Sequence, residues 1–213
     1  MTLLHTGGAD AGLTAGLLHP VFGLDHLLAM VSVGVVSSQL GGKDIWRVPL
    51  VFVAAMATGG VWGIRGFLLP FSEYGIAVSL VFLGVCVAMA KSKTSPALIS
   101  IFVAVFGVFH GYAHGVETPR SVSPALYALG FLISTATLHI FGVVIGELSA
   151  MKKFSSTALR VAGILIALAG VYFLVKQQLP VASTACENTS WSIASKDQAA
   201  SYRQKMMAMD SPT

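Results

Sequence analysis

The sequence predicts an all-α, polytopic membrane protein with six transmembrane helices in one bundle. Three observations carry that prediction. Of 213 residues, 55% are hydrophobic and only 10% are charged, where a soluble domain has about 25% charged residues. The mean hydropathy is +0.78. The apolar residues also gather into runs long enough to cross a bilayer, separated by short polar connections.

The apolar segments fall at about 12–40, 46–64, 74–90, 96–116, 123–148 and 157–175. At 1.5 Å per residue, about 20 residues cross a ~30 Å hydrocarbon core. The first and fifth segments exceed that length and the third falls short, so tilt or breaks are expected. Pro20 and Gly23 place a break early in the first segment. Gly59 and Gly63, and Gly142 and Gly146, are spaced for close helix packing, as are Gly107, Gly111 and Gly115. The two halves show no convincing internal repeat.

The connections set the expected orientation. The odd-numbered loops and their flanks hold Lys43, Arg47, Lys91, Lys93, Lys152, Lys153 and Arg160, whereas the even-numbered loops hold only Arg65 and Arg120. The positive-inside rule then puts the odd loops in the cytoplasm and both termini outside. The net charge of +4 is topology signalling and marks no nucleic-acid surface. Met1–Asp10 has no basic region followed by an apolar core, so no ordinary signal peptide is read there. Cys86 lies in an apolar run and Cys186 in the polar tail, so a disulfide between them is not expected.

Residues 1–179 are expected to form the membrane domain and 180–213 a polar, disordered tail. Met206, Met207 and Met209 in that tail are soft donors, although a plain polar terminus accounts for them better.

Five of the six histidines fall inside apolar spans: His19, His26, His110, His114 and His139. One buried histidine is usually a structural hydrogen-bonding residue. Five of them with Asp25 and Glu117 point to a functional cluster, because ionisable groups in lipid face a cavity or a partner. In a helix His110 and His114 share a face, to which Glu117 returns. His19 and His26 are two turns and ~10 Å apart on an unbroken helix, too far for one metal ion with bonds near 2 Å. Either the helix breaks, or the two serve successive positions. Asp25 is read as orienting a histidine or as a ligand itself.

Topology places both motifs in the outer half of the membrane. The first segment runs inward with its motif early, and the fourth runs outward with its motif late. One shared site of His19, Asp25, His26, His110, His114 and Glu117 is therefore expected. His139 lies deeper, and Glu147 near the inner end of the fifth segment, as candidates for the inward path, although a simple interfacial carboxylate accounts for Glu147 better. Imidazole and carboxylate suit nickel, cobalt or zinc; copper(I) would favour Met and Cys, and magnesium oxygen alone.

At these residues the chain resembles the HupE/UreJ family of nickel/cobalt permeases. The family's H-x5-D-H motif is matched by His19, Asp25 and His26, and its F-H-G-x-[A/V]-H-G-x-E motif from Phe109 to Glu117. The stretch Thr137-Leu138-His139 is similar to the family's fifth helix. The resemblance runs from about His5 to Lys176. It implies a secondary transporter of the bacterial inner membrane that imports Ni2+ or Co2+, with no permanently bound cofactor and no catalysis. Its partners are the divalent ion and the lipid bilayer, no nucleic acid is implied, and homo-oligomers are allowed. His5 lies where a mature terminus would begin and is either an outer ligand or, the better account, a terminal residue. The competing readings are a His-rich membrane metalloenzyme, a haem protein and a metal sensor. No Walker motif is present, so the chain itself does not use ATP.

Overall fold

The computed structural model describes residues 7–89, 95–119, 121–151 and 153–178. His5 and the tail from residue 180 lie outside these residues. Residues up to Val175 fall in one compact unit, which carries everything that follows.

The described residues form seven helices and no strand: α1 (Gly7–Phe22), α2 (Leu24–Leu40), α3 (Asp44–Ile64), α4 (Ser72–Met89), α5 (Pro96–Val116), α6 (Pro124–Ala150) and α7 (Lys153–Gln178). Five of them are long and apolar enough to cross a bilayer individually. The pair α1 and α2, bent by 80° at its break, passes the same test together and makes a sixth when counted as one span. The chain is therefore a polytopic helical membrane protein, and its six expected spans are built from seven helices.

The break has a local cause. Pro20 lacks an amide hydrogen and weakens the end of α1. The bend itself comes three residues later, where Gly23 is extended at φ −79°, ψ 105°. α2 therefore starts inside the protein with unbonded first-turn amides. The break opens onto a cavity lined by Phe22, Gly23, Asp25 and His26, the setting in which irregular backbone is tolerated at membrane depth.

Glycines bring the helices into register. A Cβ on Gly111 would strike the Met56 carbonyl, one on Gly59 the Val108 carbonyl, and one on Gly115 the Gly60 carbonyl. The order of these contacts makes α3 and α5 parallel, and this is the most extensive helix pair. Gly34 and Gly142 bring α2 onto α6, again in parallel, while Gly16 and Gly130 seat α1 on the first half of α6. Spans separated by one other span (α3 and α5) or by three (α2 and α6) must run parallel, so both registers agree with the alternating topology. α4 meets α7 through Gly84 and Gly163.

The core is apolar and centred on Met30, Val33, Phe52, Met56, Leu80 and Leu83. Large apolar side chains cover the outside, including Leu50, Leu165 and Leu168, as a lipid-facing surface requires. Trp46 and Trp62 are exposed at opposite ends of α3, where indole rings suit the two membrane interfaces.

Candidate functional site

The first turn of α2 anchors one half of the site. The Asp25 carboxylate accepts the His26 backbone amide at 2.9 Å and the His26 Nδ1–H at 2.8 Å. It thus satisfies one of the amides that the break at Gly23 leaves open, in a position the positive helix end favours. Because a carboxylate only accepts, His26 carries its proton on Nδ1 and presents a lone pair on Nε2. On α5, His110 Nδ1 donates to the Phe106 carbonyl at 2.9 Å, so its Nε2 is also a lone-pair donor.

His114, one turn beyond His110, stands between the two helices of the bent span. Its ring centroid is 4.4 Å from that of His26 and 4.8 Å from that of His19. His26 is in turn 5.1 Å from His110. The bend, which lets one imidazole meet both motif histidines, removes the difficulty of their ~10 Å separation on an unbroken helix. His19 Nε2 donates to the Glu117 carboxylate at 2.9 Å. Glu117 caps the end of α5 with near-helical dihedrals, and its amide still bonds the Ala113 carbonyl, so it stays close to the helical register while its carboxylate reaches His19 on α1. Donor atoms of His19, His114 and Glu117 lie within 4.8 Å of one another. A metal ion with bonds near 2 Å needs its ligand atoms roughly 3–3.5 Å apart, so a small inward closure would form a coordination shell.

His26, His110 and His114 are buried, and their unbonded nitrogens have no partner among the described residues: Nε2 of His26 and of His110, and both nitrogens of His114. An unsatisfied buried polar group costs about 1–3 kcal/mol. Such a cluster destabilises the bundle unless something binds it. Above it opens a vestibule of about 540 Å3, lined by His19, Gly23, Asp25, His26, Glu73 and Glu117 among others.

Two contributors escaped the sequence reading. Glu73, in the first turn of α4, adds a third carboxylate to the vestibule. Phe52 of α3 packs its ring 5.5 Å from His110 and 5.1 Å from His139. His139 itself is buried, and the Phe52 ring packs against both it and His110. Glu147 is exposed on α6, away from the buried groups, and no described contact joins it to them.

Fold and cluster together define a polytopic helical membrane protein built around buried imidazoles at the foot of an open carboxylate vestibule. The chain belongs to the HupE/UreJ family, which is associated with nickel and cobalt uptake: the family described as "HupE / UreJ protein" matches residues 1–173. Protein HupE of Rhizobium leguminosarum bv. viciae is 44% identical over 171 residues, covering 80% of this chain and 88% of the relative. No solved structure matches the chain.

Proposed function

We propose that this protein is a secondary transporter that imports nickel or cobalt ions through the site formed by His19, Asp25, His26, His110, His114 and Glu117. The observation that carries the reading is the convergence of four imidazoles from α1, α2 and α5 beneath an open vestibule lined by carboxylates. The vestibule concentrates hydrated cations. His19, His114 and Glu117 take the ion as it sheds water, and the lone pairs on His26 and His110 Nε2 receive it next. The mix of imidazole and carboxylate suits borderline divalent ions.

The ion is the cargo, and no permanently bound cofactor or catalytic step belongs to this reading. Family membership supports a place in the bacterial inner membrane, and the loop charges support an orientation with the vestibule facing outward and both termini outside. The test is uptake of radioactive nickel by cells, with cobalt and zinc as competitors. The unmodified chain is expected to accumulate nickel and His114→Ala to lose it while remaining in the membrane. Equal uptake by the two would sink the site.

A further inference from the structure

We propose that His139 and Thr135 form a second, weaker station for the divalent cation, on the far side of the Phe52 ring from the outer cluster. The inference rests on the importer reading, and its test separates the two.

His139 sits 15 residues into α6, counted from Pro124, or about 22 Å along the helix. It is 1% exposed, and neither ring nitrogen has a hydrogen-bond partner among the described residues. Thr135 is one turn earlier on the same helical face. It is fully buried, and its Oγ1 is likewise unpartnered. On α2, which packs along this part of α6, Ser32 is buried with an unpartnered hydroxyl. A histidine kept only for packing would be served by an apolar ring. An imidazole always carries a donor or a second lone pair that needs a partner. Leaving both nitrogens unpartnered beside an unpartnered hydroxyl in lipid-depth core marks a place where something polar resides in transit.

The backbone position is fixed tightly. A Cβ on Gly34 would collide with the His139 carbonyl, so α2 holds this turn of α6 in place. Phe52 supplies the partition. Its ring touches His110 above and His139 below, and an aromatic face can carry a cation briefly between two ligands. Neither Asp nor Glu is among the residues named at this level. One imidazole and hydroxyl oxygens bind a divalent ion more weakly than the outer set. Conduction needs such a decrease, since an ion must be able to leave each site it enters.

The test uses the full chain in proteoliposomes, with radioactive Ni2+ and Cd2+ as probes. His139→Gln is expected to bind nickel at equilibrium within about twofold of the unmodified protein, while its nickel flux falls about tenfold. Thr135→Val should lower flux about threefold. His139→Cys restores a ligand of softer character. It should regain flux and raise the cadmium-to-nickel ratio about fivefold or more. The inner station is overturned if His139→Gln passes nickel at the unmodified rate. It is also overturned if that variant keeps its metal flux and loses only pH dependence, which would make His139 a proton carrier. Slow flux in His139→Cys with unchanged ion preference would assign His139 to packing and overturn it as well. If the unmodified protein moves no nickel at all, the importer reading falls, and the inner station falls with it.

Discussion

Asp25 holds His26 in one tautomer. The carboxylate takes both the backbone amide and the Nδ1–H of the residue that follows it, at 2.9 and 2.8 Å. The consequence is directional: the only lone pair His26 can offer is on Nε2, and that atom lies buried on the side of His110 and His114.

Asp25→Asn tests that relation. An amide can also donate, so it no longer dictates which nitrogen of His26 keeps the proton. Loss of such an orienting partner typically lowers metal affinity about 10- to 100-fold. The concentration dependence of nickel uptake should shift by that amount, with the protein still present in the membrane. An unshifted curve would remove Asp25 from the site.

His114 should report metal binding without transport. A ligand present at about 100 times its dissociation constant stabilises the folded state by about 2.7 kcal/mol. Thermal melts of the purified protein, followed by tryptophan fluorescence, should rise with added nickel in the unmodified chain and barely move in His114→Ala. A full nickel-induced rise in the variant would contradict the assignment.

Glu73→Gln should act at a distance. The vestibule carries Asp25, Glu73 and Glu117, and removing one negative charge weakens attraction of the incoming ion. Apparent affinity for nickel should fall about threefold at low salt. The difference should shrink as the screening length drops to about 10 Å near 0.1 M salt. An effect independent of ionic strength would point to direct ligation by Glu73.

The glycine register is testable through Gly111→Val. The added side chain runs into the Met56 carbonyl, and overpacking of this kind costs about 1–3 kcal/mol or more. Folded protein in the membrane, measured by fluorescence-detected size exclusion of a tagged chain, should drop several-fold. Unchanged yield would mean that α3 and α5 do not approach as described.

Orientation can be read by thiol labelling in a chain freed of Cys86 and Cys186. Leu68 is 93% exposed between α3 and α4, and Lys43 is exposed between α2 and α3. A membrane-impermeant maleimide should label Leu68→Cys in intact cells and Lys43→Cys only after lysis. The reverse pattern would invert the topology.

Much of this arrangement is legible in the sequence because it is local. Composition and run length give the spans, and four- and seven-residue spacings give shared helical faces. The break in the first segment was expected near Pro20 and Gly23, and the bend falls at the glycine. What the sequence does not specify is which faces meet. The stripe at Gly107, Gly111 and Gly115 announces a close neighbour, but only the fold makes that neighbour α3. Glu73 belongs to no motif and stands one residue before the third apolar segment as read at 74–90, so nothing local marks it. Phe52 resembles any core phenylalanine until His110 and His139 are seen on either side of it. Glu147, better read from its chain position as an interfacial carboxylate than as part of the inward path, is exposed on α6.

The separation of His19 and Glu117, 98 residues apart in the chain yet hydrogen-bonded, has a consequence during synthesis. At roughly 5–20 residues per second, the helices carrying His19 and His26 enter the bilayer about 5–20 seconds before α5 can reach them. His26 spends that interval already paired with its neighbour Asp25, whereas His19 must wait for a partner from a helix not yet made. The nascent first span therefore carries half of its polar burden internally resolved and half deferred, and the arrival of α5 closes the account.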